Sequence, residues 1–368
     1  MTRKAKAVIC RQLDQPVVVE TIEVESPRRN EVMVKMGACG VCHSDLSATN
    51  GTLPLPPPLV LGHEAAGVVE EVGEGVTAVA VGDPVVICWI PICGQCRYCG
   101  EGRPALCDRS ARASITLPDG THRYRDGNGD PVNHFAGVGV MSEYATVHES
   151  NVIKIDPDVP LEKAAVVGCA VMTGVGAAIN TAAVTPGSSA VVFGCGGIGL
   201  NAIQGAALAG ADPIVAVDTE DKKLEMAQRF GATHRVNPKT DGDPVARIHE
   251  LTGGGADYGF ECVGLSATIQ QTFDAVGKGG TAVLVGVPRP GDPIQMAVFP
   301  FVFTEKTLKG SLYGSAQPHF DFPRLISLYK ANRLKLDELV TATYSIDDAP
   351  RAFEDMVSGA NARGVIVF

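Results

Sequence analysis

Hydrophobic positions along the chain fall into two regimes. Through the first third they come as short runs and alternations broken by Gly and Pro: AVIC near the start, then VVVETIEV, GVVEEVGEGV and GDPVVIC. A period of two sends successive side chains to opposite faces, so these segments predict half-buried strands. Pro54, Pro56, Pro57 and Pro58 crowd one stretch; without backbone donors it predicts an extended surface loop. From Cys169 the pattern lengthens into an alternation of strand and helix. A helix is expected over 171–183, closed by the Pro186-Gly187 turn, and the strand AVVFG follows. Helices over 198–209, 221–230, 244–251 and 267–276 then alternate with the strands IVAVD, HRVN, YGFECV and TAVLVGV. Near-continuous apolar strands separated by helices imply an α/β fold with a parallel sheet covered on both faces. Beyond about Lys309 the alternation stops, leaving a helix over 322–332 and a last strand, GVIVF. Internal repeats and low-complexity tracts are absent.

Length and charge narrow the picture. The 368 residues suggest about two domains at roughly 150 residues each. A net charge of -10 repels polyphosphate and argues against a nucleic-acid partner. The opening MTRKAKAVIC lacks the apolar core and cleavage site of a signal peptide, and no run approaches the ~18 apolar residues of a membrane span. A soluble, cytoplasmic protein is expected. Eleven cysteines, an odd number and clustered between Cys93 and Cys107, fit metal binding in a reducing compartment better than a disulfide framework.

The segment AVVFGCGGIGL sets Gly194, Gly196 and Gly199 in a G-x-G-x-x-G pattern that leaves a strand and opens a helix, with Gly197 and Ile198 inside it. Gly194 is expected to make the tight turn. Gly196 would admit a pyrophosphate to the backbone, and Gly199 would let helix pack on strand. The helix N-terminus then offers N–H groups to the phosphates. Asp218 follows Gly199 by 19 positions, the place of the carboxylate that binds the adenosine ribose. A 2′-phosphate would meet its negative charge, so NAD is favoured over NADP.

Cys93, Cys96, Cys99 and Cys107 form C-x₂-C-x₂-C-x₇-C. Four thiolates can close a tetrahedral Zn²⁺ shell, which makes such a zinc structural. An iron–sulfur cluster is the rival for this spacing. A second set is dispersed: Cys42 in GVCHSD, His63 in GHE and Cys169 in VGCAV. Their types suit a catalytic zinc with an open fourth position; spacing does not unite them, and a buried structural role is the bland reading of Cys169.

The run GHEAAGVVEEVGEGV over 62–76, the following GDPVV, the four-cysteine lobe, the glycine loop and the ending ARGVIVF occur in one order. In these features the chain resembles the zinc-containing medium-chain alcohol dehydrogenase family across nearly its full length. The resemblance implies a GroES-like catalytic domain over 1–170 and 313–368 and a Rossmann domain over 171–312. It implies two zinc ions per chain, the catalytic one on Cys42, His63 and Cys169. By the same similarity Asp45 orients His63, Glu64 approaches the metal from behind, and Ser44 takes the substrate's proton. His43 and Arg363 match positions near the cofactor pyrophosphate, Thr173 lies by the nicotinamide, and Lys223 by the adenosine ribose. Val263 and Val287 join the cofactor site. Leu53, Trp89, Phe135, Val287 and Leu312 match pocket positions. One departure stands out: Ser47 occupies the place where many relatives end the proton relay with a histidine.

The activity implied is hydride transfer between a primary aliphatic or aromatic alcohol and NAD, giving the aldehyde. Zinc acts there as Lewis acid and the dinucleotide as hydride carrier. A thiol-dependent formaldehyde dehydrogenase is the alternative, with Arg109 and Arg112 as approximate candidates for an adduct's carboxylates. A non-catalytic NAD-binding protein is a third reading. The long segment TLPDGTHRYRDGNGDPVNHFAG resembles the loop of dimeric relatives, so a homodimer is expected, with a tetramer as the other possibility.

Overall fold

The computed structural model describes residues 2–109 and 115–368. The chain divides into two compact units, one of Met1–Cys169, Gln317–Asn332 and Leu336–Phe368, the other of Ala170–Ala316 and Arg333–Lys335. Arg112 lies outside the described residues.

The first unit is built on β structure. Thr2–Cys10, Val18–Glu25, Tyr124–Arg125, Pro131–His134 and Leu59–Val60 close into a small barrel. A second sheet runs in the order Val152–Lys154, Pro84–Ile87, Ala65–Val72, Glu31–Gly40, Gly364–Val367 and Ala342–Tyr344, and Tyr144–His148 also pairs with Glu31–Gly40. Glu31–Gly40 meets three partners and is buried at nearly every position. That explains why EVMVKMGACG is apolar without alternation, whereas Val18–Glu25 keeps one wet face. One polar tie stands inside this shell. Arg123, fully buried, donates from Nε to Glu31 Oε2 at 2.7 Å and also pairs with Asp119. A buried guanidinium needs such partners, and this one tethers the long segment between Leu117 and Phe135 to the sheet.

In the second unit the expected parallel sheet is present. Its strands lie in the order His234–Val236, Ile214–Val217, Ala190–Phe193, Ala256–Glu261, Val276–Leu284, Thr307–Gly310, every neighbouring pair parallel. Ala190–Phe193 and Ile214–Val217 are wholly buried, as strands covered on both faces must be. Sequence order reverses direction between Ala190–Phe193 and Ala256–Glu261, which makes that pair the switch point of a doubly wound sheet.

Several elements differ from expectation. The helix expected over 171–183 runs as α-helix over Ala170–Gly176 and widens to a π turn over Ala177–Ala182. The helix Ala349–Ser358 and the three-residue strand Ala342–Tyr344 were not anticipated. Pro350 reads as a breaker, yet it sits in the first turn, where its missing N–H is harmless. The buried Ala349, Ala352, Phe353 and Met356 form an i, i+3, i+4, i+7 stripe that could have revealed the helix. Among the described residues no single helix is long and apolar enough to cross a membrane.

Candidate functional site

Three distant segments of the first unit converge. Cys42 ends the loop before the helix His43–Thr49, His63 follows the strand Leu59–Val60, and Cys169 occupies the non-helical junction before Ala170. Their ligand atoms lie within 4.8 Å of one another and all three residues are buried. His63 Nδ1 sits 3.3 Å from Asp45 Oδ1, while Nε2 is buried without a hydrogen-bond partner. A buried imidazole nitrogen left orphaned beside two sulfurs is the arrangement that a zinc ion satisfies.

The electrostatics agree. The Cys169 thiol donates to Cys42, and with Arg363 and His63 this outweighs burial and holds Cys42 well below the usual thiol range. Cys42 in turn, together with burial, pushes Cys169 well above it. Burial favours a neutral His63, but Asp45 and then Cys42 override it and raise the imidazole well above its ordinary value. The cluster therefore retains protons that a divalent cation would displace.

Asp45 is fully buried and organises the cluster from behind. Its carboxylate accepts from the Cys42 N–H at 3.1 Å and the Gly62 N–H at 2.9 Å as well as facing His63. Glu64 is buried and accepts from Arg363 Nη2 at 2.8 Å. Arg363 also donates to the Val41 carbonyl at 3.2 Å and to Cys42 Sγ at 3.8 Å. The strand Gly364–Val367, antiparallel to residues 38–40, brings it there. Arg363 is only 5% exposed, so its guanidinium is committed to the rear wall of the Cys42–His63–Cys169 cluster. Ser44 Oγ lies 3.8 Å from Cys42 Sγ and is half-buried, while His43 is exposed on the same short helix.

Aromatic rings wall His63. Phe135 meets it edge-on at 5.1 Å between ring centroids and Trp89 at 6.4 Å. Leu53 packs on the same core, partly buried.

The four-cysteine lobe is assembled too. Cys93, Cys96, Cys99 and Cys107 place their sulfurs within 4.8 Å of one another. Backbone N–H groups of Gln95 and Cys96 bring the Cys93 thiol down to about 6, and those of Asp108 and Cys99 lower Cys96. Amides aimed at these two sulfurs favour thiolates and hence a metal, whereas burial pushes the Cys99 thiol up to about 12 and raises that of Cys107, protons a cation would have to displace. Four sulfurs complete a tetrahedral shell and leave no open position.

In the second unit the glycine loop adopts the geometry that its spacing requires. Gly194 has φ +88°, a region that residues with a Cβ rarely enter. A Cβ at Gly199 would stand 1.7 Å from the Gly194 carbonyl, whereas one at Gly196 would meet nothing within 4 Å. The N-terminal turn of the helix Gly197–Leu208, which carries Ile198, thus packs tightly on the preceding loop at Gly199 and leaves open space at Gly196. Asp218 follows Ile214–Val217, accepts from the Cys195 N–H at 2.8 Å and the Glu220 N–H at 3.0 Å, and remains half-exposed. Lys223 lies in the next helix, Asp221–Arg229. Thr173 is buried in Ala170–Gly176, and Val263, Val287 and Leu312 are exposed just past strand ends.

Some contributors were not foreseen. Fully buried Glu261 accepts from the Val263 and Gly264 N–H groups and the Thr268 hydroxyl, fixing the turn that carries Val263. Its position in FECVG at a strand end was the available signal. Arg109 lines a 360 Å³ cleft with His148, His319 and Cys93, and none of the lining residues belongs to the Cys42–His63–Cys169 cluster.

Known proteins resemble this chain over its length. Residues 28–157 match the family described as Alcohol dehydrogenase GroES-like domain and residues 197–331 match Zinc-binding dehydrogenase. Over 369 residues the chain is 42% identical to an NDMA-dependent alcohol dehydrogenase of Amycolatopsis methanolica, with 99% of each covered. An alcohol dehydrogenase zinc-binding domain protein from Burkholderia ambifaria has a similar fold, with TM-score 0.96, 37% identity and 100% of both chains covered. A benzyl alcohol dehydrogenase from Acinetobacter calcoaceticus aligns with TM-score 0.92 at 34% identity, covering 100% of this chain and 99% of that one.

Proposed function

For a chain that belongs to the zinc-containing medium-chain alcohol dehydrogenase family, and is thus an alcohol oxidoreductase, we propose that NAD is the hydride acceptor and a primary aliphatic or aromatic alcohol the donor. The observation that carries the reading is the buried Cys42–His63–Cys169 cluster with its orphaned imidazole nitrogen. Zinc held there supplies the Lewis acidity that makes a bound alcohol release its proton near neutral pH. Cys42 and Cys169 contribute the two sulfurs and His63 its Nε2, oriented by Asp45. Ser44 accepts the substrate's proton at its hydroxyl and passes its own to solvent, since Ser47 offers no titratable group. Phe135 and Trp89 stand against His63 and suit an apolar substrate body, a reading supported by the 34% identical benzyl alcohol dehydrogenase. Asp218 takes the ribose hydroxyls and repels a 2′-phosphate, which supports NAD.

The four-cysteine lobe holds a second, structural zinc. The thiol-rich sites call for a reducing compartment, and the cytoplasm is proposed. A homodimer is proposed as well. It is supported by the edge strand Thr307–Gly310 and by the helix Val298–Phe303, whose Val298, Phe299, Val302 and Phe303 are 63–72% exposed, an apolar patch of the kind that marks an interface.

The test is zinc content per chain with NAD reduction over an alcohol panel, expecting about two zinc ions and turnover of benzyl alcohol without thiol. Formaldehyde oxidation only with added glutathione or mycothiol would instead favour the thiol-dependent reading. The relative named for NDMA dependence favours a second reading of the acceptor: turnover with NDMA but none with free NAD would replace the first. Light scattering checks the assembly.

A further inference from the structure

Tyr313, Gly314 and Ser315 follow one another with φ of 55°, 64° and 52°. A run of left-handed residues that includes two side chains persists only where its surroundings over-determine it. Those surroundings are specific. A Cβ at Gly314 would lie 2.4 Å from the Met172 carbonyl oxygen, 2.9 Å from that of Thr173 and 2.8 Å from Gly176 Cα. The turn is therefore pressed onto the helix that carries Thr173. Past Gly176 that helix widens into the π turn Ala177–Ala182, a deviation often found at functional sites. Two side chains on the wide turn grip the left-handed one. Asn180 Nδ2 donates to the Gly314 carbonyl at 3.3 Å, and Thr181 Oγ1 lies 2.9 Å from Ser311 Oγ and 2.8 Å from Ser315 Oγ. Thr181 is 2% exposed, and its own carbonyl accepts from Lys309 Nζ at 2.6 Å. One hydroxyl thus bridges both flanks of Leu312–Gly314.

The location gives this device its meaning. The turn starts directly after Gly310, and the Ser311 N–H donates to the Leu284 carbonyl, so it stands at the carboxyl ends of two parallel strands. Open α/β sheets bind ligands beyond those ends, across the switch point. Asp218 lies on the Ile214–Val217 side of that point, which assigns the adenosine half there. The nicotinamide half then falls over the other side, where Val263, Val287 and Leu312 are exposed.

We propose that Thr181 is a positioning residue for the nicotinamide half of the dinucleotide, its hydroxyl locking the left-handed turn of residues 313–315 to the helix that carries Thr173. Leu312 and Thr173 are thereby held in one fixed relation although 139 positions separate them in sequence. The inference rests on the nicotinamide-cofactor reading above. Thr181→Val keeps the shape and deletes the bridge, leaving Ser311 and Ser315 without their shared partner.

Calorimetric titration of the full-length, zinc-replete protein with NAD and with ADP-ribose, which lacks the nicotinamide, tests the role. In Thr181→Val the NAD Kd is expected to rise about tenfold, ~1.4 kcal/mol, with ADP-ribose changed less than about twofold. Thr181→Ser restores NAD binding. If Thr181→Val does not fold, Ser315→Ala must give the same split. Equal losses for both ligands, or none for either, overturn the positioning role alone. Wild-type protein that binds no NAD overturns the cofactor reading and the proposal with it.

Discussion

Asp45→Asn isolates the contribution of one carboxylate to metal affinity. Asp45 stands behind the Cys42–His63–Cys169 cluster. It is fully buried and serves three groups: His63 Nδ1 at 3.3 Å, the Cys42 N–H at 3.1 Å and the Gly62 N–H at 2.9 Å. Asparagine preserves the volume and keeps one acceptor oxygen. If that oxygen serves His63 and Gly62, the new NH₂ faces the Cys42 N–H, donor against donor. A buried unsatisfied group of this kind costs about 1–3 kcal/mol. The negative charge that holds the ring in one tautomer is lost too. The cost of the unsatisfied group falls on folding with or without metal; removing an outer partner of a metal ligand typically lowers metal affinity itself by about 10–100-fold, or ~1.4–2.8 kcal/mol. The assay is competition with a chromophoric chelator while zinc per chain is counted. In the variant one zinc is expected to leave at about 10–100-fold lower chelator concentration, while the zinc of the four-cysteine lobe leaves as in wild type. Indistinguishable release curves would refute the orienting role of Asp45, and equal weakening of both zinc ions would show a global defect instead.

Cys96→Ser should lose only the zinc of the four-cysteine lobe, taking zinc per chain from about two to about one; metal analysis with limited proteolysis around residues 93–107 checks it. Asp218→Asn should raise the NAD Kd about tenfold, ~1.4 kcal/mol, while NADP binding changes little or improves, as read by nucleotide titration. His134 supplies a pH test. Desolvation in the buried site lowers its pKa to about 3, whereas in the unfolded chain it titrates near ~6.5. Below that pH the unfolded state binds a proton that the native state refuses, so this stability is present above the unfolded value and is lost as pH falls toward 3. The slope is ~1.4 kcal/mol per pH unit for one proton. Urea unfolding of wild type and His134→Gln between about pH 6 and 4 should show a shallower slope in the variant; parallel slopes would exclude His134 as the titrating group.

What the sequence determined by itself is what local periodicity and short spacing encode. The alternating first third, the strand–helix series after Cys169, and the glycine loop with Asp218 follow from neighbours within about 20 positions. The four-cysteine lobe follows from spacing over 15 residues. Even the two dispersed cysteines and His63 were nameable, but only through resemblance, because nothing in their spacing unites them. Tertiary structure alone decided the rest. Glu64 finds Arg363 across 299 positions, and Glu31 finds Arg123 across 92. The left-handed turn after Leu312 is held by a hydroxyl 134 positions before Ser315. Each of these is a buried polar group, which must find its partner wherever the packed chain brings one near. Hydrophobic patterning says which face of a segment turns inward, and it carries no record of which distant segment will stand opposite.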